Sequence, residues 1–135
     1  MKKLFISIVI IFANLTFVDA QILIGHNVDE IRSMMKRIRP NFREDNSTVN
    51  AKSIKYVDKA KDNTLIFFLS PEGKCLYSKF MLDVSYAKSA VDSLSKKYKY
   101  LDNLTWYAEK DDKEFSIKMV NNEYYFTIVI SDKED

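Results

Sequence analysis

The stretch "EFSIKMVNNEYYFTIVI", residues 114–130, decides what kind of fold this chain can adopt. Read in steps of two, Phe115, Ile117 and Met119 fall on one side, with Ser116 and Lys118 on the other. Beyond Asn121-Asn122 the alternation resumes with Tyr124, Phe126 and Ile128 against Tyr125 and Thr127. A period of two is a strand signature. Asn tolerates the positive φ that a two-residue hairpin turn demands. A turn at Asn121-Asn122 predicts the pairs Met119–Tyr124, Ile117–Phe126 and Phe115–Ile128 on an apolar face. It places Lys118 opposite Tyr125 and Ser116 opposite Thr127 on the other face.

Similar runs lie upstream. "LTWYAE" (104–109) precedes the hairpin, with "KDD" (110–112) as its turn. "SIKYV" (53–57) alternates. "TLIFFL" (64–69) is continuously apolar and reads as a central strand buried on both faces. "KCLYSKFML" (74–82) follows "SPEG" (70–73), where Pro at the second position and Gly at the fourth fit a type I turn. Two helices complete the pattern. Val28, Ile31, Met35 and Ile38 form a helical stripe, with Asn27 as N-cap and Glu30 placed for a capping box. Pro40 stops that helix. A second helix, starting at Asp83, has the stripe Val84, Ala87, Val91 and Leu94.

The two stripes match position by position, and three strands follow each helix. Tyr56 aligns with Tyr107, and Leu65, Phe67 and Leu69 match Phe115, Ile117 and Met119. The expected fold is therefore α+β: a tandem αβββ repeat with two helices packed on one face of an antiparallel sheet. Unit one covers about 26–82 and unit two about 83–131, together forming one domain over residues 21–135. The other sheet face would be partly open.

The first twenty residues stand apart. Lys2-Lys3, the apolar run "LFISIVIIF" (4–12) and the small residues of "VDA" (18–20) read as a signal peptide cleaved after Ala20. The uninterrupted apolar run is far shorter than the roughly 20 residues that span a bilayer. The expected product is a secreted or periplasmic protein with no stable membrane insertion after leader removal. The leader's style and a Lys/Ile/Asn-rich composition point to a bacterial source. At 47% hydrophobic and 30% charged, the chain has globular composition. A formal net charge of +2, with Lys2 and Lys3 in the leader, makes no case for nucleic acid. The single cysteine, Cys75, rules out a disulfide scaffold, so packing must supply the stability.

A secreted αβββ tandem resembles the β-lactamase inhibitory protein architecture and, for a single unit, the small outer-membrane-assembly lipoproteins. "GHNVDEI" (25–31) is similar to the G-x-x-x-x-E-[IV] helix start found near the mature end of both. The chain lacks the paired cysteines of the former and the lipidated cysteine of the latter. The resemblance implies a fold and a binding role, and it carries over no functional residue.

Catalytic chemistry is sparse. His26 is the only imidazole, and no G-x-S-x-G elbow accompanies it. No zinc or EF-hand spacing is present, and two glycines cannot build a phosphate loop. No cofactor or metal is expected. Candidate binding residues are Tyr107, Lys118, Tyr125 and Thr127 on the open sheet face, where Tyr suits a binding surface. Arg32, Lys36 and Arg39 form a second candidate, on the basic face of the first helix. These features favour a non-catalytic binding module for an unknown protein or small ligand. An envelope-assembly or structural accessory protein is one alternative. A small hydrolase-like enzyme using His26 with a carboxylate or Cys75 is the other.

Overall fold

Burial alternates along almost every strand of this protein, so one sheet face supplies most of the core. A computed structural model describes residues 22–46, 52–60 and 62–133. The leader lies outside them. Helix α1 is Val28–Ile38, followed by strands β1 (Arg43–Glu44), β2 (Ser53–Asp58), β3 (Asn63–Leu69) and β4 (Cys75–Asp83). A 3-10 turn, Val84–Tyr86, leads into α2 (Ala87–Lys97). Strands β5 (Lys99–Tyr100), β6 (Thr105–Lys110), β7 (Lys113–Asn121) and β8 (Tyr125–Asp132) complete the described elements. All eight strands join one antiparallel sheet in the order β1-β2-β3-β4-β8-β7-β6-β5. The class is α+β, with strand content dominant.

The core face carries Ile54 and Tyr56 from β2, Leu65 and Phe67 from β3, and Phe80 and Leu82 from β4. It continues with Phe126, Ile128 and Ile130 from β8, Phe115 and Ile117 from β7, and Trp106 from β6. Ile31 and Met35 of α1 and Ala90 and Leu94 of α2 belong to the same buried cluster. Trp106 is fully buried, and its indole N–H is satisfied by Ser95 Oγ of α2 at 3.0 Å.

Local sequence chemistry accounts for much of this. The capping box is complete: Asn27 Oδ1 accepts from Glu30 N at 2.9 Å, and Glu30 Oε1 accepts from Asn27 N at 3.3 Å. The "SPEG" turn closes with Gly73 N donating to Ser70 O at 2.9 Å, and Gly73 takes φ +81°. At that φ a side chain would be strained.

Four expectations are corrected. First, the β7–β8 register differs from the predicted one by four residues. Met119 pairs with Ile128, Ile117 with Ile130, and Lys118 with Val129. A shift by an even number keeps every side chain on its face, so alternation alone does not distinguish these registers. The observed register sets Met119 and Ile117 against two fully buried isoleucines and leaves Tyr124 73% exposed at the turn. The two-residue turn instead falls at Asp111-Asp112, with φ of 53° and 62°.

Second, β3 is not buried on both faces: Thr64, Ile66 and Phe68 are only half-buried. Third, Asp83 caps the 3-10 turn rather than the helix. Its Oδ1 accepts from Ser85 N at 2.9 Å, two residues on, which favours a tight turn over a full helical cap. Val84 is consequently 42% exposed, and Ala90 and Leu94 are the residues α2 buries. Fourth, Tyr56 and Tyr107 are not equivalent. Tyr56 faces the core, and Tyr107 pairs with Ser116 on the opposite face.

Candidate functional site

The sheet's second face is built from the residues that alternate with the core. One row runs straight across six strands: Lys55, Ile66, Lys79, Val129, Lys118 and Thr105. Strands lie about 4.8 Å apart, so the three lysines are spaced by roughly 10 Å. A second row, Val57, Thr64, Met81, Thr127 and Val120, is largely apolar. A third contains Ser53, Phe68, Tyr77, Ser131, Ser116 and Tyr107. Phe68 and Tyr77 stack with ring centroids 4.4 Å apart and an interplanar angle of 12°. Lys79 Nζ sits 5.7 Å from the Phe68 ring centroid.

The cations of this face differ in their partners. Lys55 Nζ lies 3.6 Å from Asp45 Oδ2. Among the described residues no carboxylate pairs with Lys79 or Lys118. The face thus presents an apolar and aromatic floor crossed by Lys79 and Lys118, which have no carboxylate partner among the described residues. Such a floor can bury apolar area while attracting negative charge.

Tyr107, Lys118, Tyr125 and Thr127 all lie on this face, but not together. Tyr125 is six residues along β8 from Ser131, the residue in Tyr107's row, or roughly 20 Å at the rise of a strand. Thr127 is 8% exposed, between Met81 and Val120. Tyr107 is held at the other end. Its hydroxyl donates to Glu114 Oε1 at 3.0 Å, and Lys133 Nζ lies 5.0 Å from its ring centroid. Desolvation, then the hydrogen bond to Glu114, pushes its phenol up to about 12.

The basic helix is less of a patch than its sequence reads. Arg32 donates to both oxygens of Glu44, at 2.8 and 3.1 Å, which holds the Glu44 carboxyl below its ordinary range. Arg39, at the C-cap of α1, turns inward over the rings of Phe42 and Phe80. Lys36 and Arg37 stay exposed.

His26 Nδ1 is 3.1 Å from Glu30 Oε2, an exposed pair one helical turn apart. The cap hydrogen bond at Asn27, together with His26, holds the Glu30 carboxyl below its ordinary value. Cys75 is buried, its Sγ points to Tyr77 O at 3.5 Å, and desolvation pushes its thiol up to about 12. A thiol so protonated is a poor nucleophile. Among the described residues no group of His, Cys, Asp and Glu is arranged to hold a metal ion. No described helix is long and apolar enough to cross a membrane.

Sequence reading missed Lys79, Phe68 and Tyr77. The alternation of "KCLYSKFML" held the signal for two of them, since Tyr77 and Lys79 share a parity opposite to Phe80 and Leu82. Phe68 was hidden by the all-apolar run around it. No family model, curated protein or solved structure matches this chain.

Proposed function

We propose that this is a small secreted or periplasmic binding module, without catalysis, that docks the acidic surface of a partner protein on its open sheet face. The observation that carries the reading is the row through Lys79 and Lys118, two cations without carboxylate partners among the described residues, on an apolar and aromatic floor. The near-neutral net charge favours a local acidic patch over a polyanion. The sequence-level leader supports export.

The module is a duplicated unit in this reading, with both helices backing the core face. Two features support that. The sheet order runs β1 to β4 and then β8 to β5, so each half repeats the other in reverse. An eleven-residue helix precedes each set of strands. The unit then has four strands, because β1 and β5 are short additions to the three expected.

A photo-crosslinker placed at Val129 tests the docking surface. It should capture a partner in the source's envelope or supernatant fraction. Lys79→Glu with Lys118→Glu should abolish capture, and so should Tyr107→Ala with Tyr125→Ala, with folding intact. Crosslinks obtained only from Lys36 or Lys88, on the helices, would move the interface off the sheet. A mature N-terminus at Gln21 in the exported protein checks the leader, and a cytoplasmic protein beginning at Met1 refutes it.

A further inference from the structure

At the foot of the β2–β3 hairpin, on the core side of the sheet, lies a cavity of about 320 Å³. Asp58 ends β2 and Asn63 begins β3. The two are cross-strand partners, and both line the cavity. Directly opposed residues hold their Cβ atoms about 4.5–5.5 Å apart, so the two polar ends can serve one ligand group. Each residue is only 6% exposed. Neither has its full set of partners. Asn63 Oδ1 is buried and accepts from nothing among the described residues. Asp58 Oδ1 accepts one hydrogen bond, from Ala60 N at 3.2 Å. Among the described residues no Lys, Arg or His forms an ion pair with Asp58.

A buried acceptor without a donor costs the full desolvation of that group. A buried carboxylate without a cation costs more. The two deficits are of one kind and sit side by side: they call for hydrogen-bond donors that carry positive charge. A hard divalent ion is a poor match, because it takes about six to eight oxygens. A primary ammonium matches, since it is compact, cationic and has three N–H donors. Ile38, Phe42, Leu82 and Tyr86 also line the cavity and suit an apolar carbon skeleton. Tyr86 is 41% exposed, so its wall also meets solvent. Arg39 lines the cavity too, with its guanidinium 5.5 Å from the Phe42 ring centroid, so the cation must seat at the Asp58–Asn63 end. The volume is at the small end of the roughly 300–1,000 Å³ of ligand pockets, which suits a single small molecule rather than a peptide or nucleotide.

We infer that this cavity binds the protonated form of a small primary amine with an apolar body. Its ammonium donates to Asn63 Oδ1 and the Asp58 carboxylate, and its carbon skeleton lies against Ile38, Phe42 and Tyr86. The inference is independent of the docking role of the open face, which lies on the other side of the sheet from Asp58 and Asn63.

The test is a titration of ¹⁵N-labelled protein with phenethylammonium chloride at neutral pH, followed by amide shifts. The controls are 2-phenylethanol, which lacks the charge, N,N,N-trimethylphenethylammonium, which lacks the N–H donors, and calcium chloride. Saturable shifts should centre on Asp58, Asn63 and Tyr86, with each organic control at least about tenfold weaker. Asp58→Asn keeps the acceptor for Ala60 N but removes the charge, and Asn63→Leu removes the orphaned acceptor. Each should weaken binding by a similar factor, whereas Asn63→Asp, which adds a second carboxylate, should tighten it. No saturable shift with the amine overturns the proposal. So does either organic control binding as tightly as the amine, or calcium alone producing the shifts. Undiminished binding by Asp58→Asn does the same. The wild-type comparison stands even if a variant fails to fold.

Discussion

Phe67 and Phe68 are neighbours in β3 with identical side chains, and they point to opposite sides of the sheet. Phe67 is fully buried among Tyr56, whose ring it meets edge to face at 6.2 Å, and the rest of the core. Phe68 is half-buried, stacked on Tyr77 and approached by Lys79. The core face uses its apolar residues to exclude water from both sides. The open face uses them in a half-exposed layer, mixed with Lys79 and Lys118, which have no carboxylate partner among the described residues. The difference teaches that residue type does not assign a role here, whereas the side of the sheet does.

The largest expected effect tests that contrast at its core end. Phe67→Ala should destabilise by about 3–5 kcal/mol in urea unfolding, because it removes a buried ring and leaves a cavity. Phe68→Ala should cost only about 1 kcal/mol, the scale of an aromatic pair, while weakening partner capture. Equal losses from the two would erase the distinction between the faces.

Next comes a site that belongs to neither face. Asn27→Ala removes the side-chain half of the capping box and should cost about 1 kcal/mol. Thermal unfolding checks this. Unchanged stability would show that the backbone bonds of Gly25 and His26 to Cys75 hold the helix start without the cap.

The smallest effect is electrostatic. Glu44 has a folded-state pKa below its ordinary value, because Arg32 stabilises the carboxylate. Its stabilisation is therefore present above the unfolded pKa of about 4.3 and is lost as pH falls through the lower folded value. Glu44→Gln should cost about 0.5 kcal/mol at pH 7, the scale of an exposed pair, since the Arg32 side chain is 48% exposed. The wild type and variant should converge in acid. Thiol labelling sharpens the account of the core: native Cys75 should resist a thiol reagent that modifies it quickly in urea.

Local features were legible wherever a short-range interaction set them. The Asn27–Glu30 cap, the "SPEG" turn and the strand alternation each depend on residues a few positions apart. The α2 start was misread because Asx capping two residues on and three residues on look alike in sequence. The candidate site was legible as a face but not as a place. Tyr107, Lys118, Tyr125 and Thr127 have the right parity, yet Lys79 and Phe68 complete the surface only through strands that are distant in sequence. Arg39 belonged by helical spacing to a wet basic face. The C-cap geometry and the two phenyl rings drew it inward instead.

The sequence by itself determined the two helices and the six longer strands, because period, caps and turns act over a few residues. It determined the parity of the strands that alternate, though not of the all-apolar β3, because side chains alternate whatever the register. Tertiary structure decided the β7–β8 register, since shifts by even numbers are equivalent to the pattern and only the packing of Ile128 and Ile130 separates them. It also decided which alternate face stays open. Those outcomes depend on which distant segments meet, and no local preference encodes that.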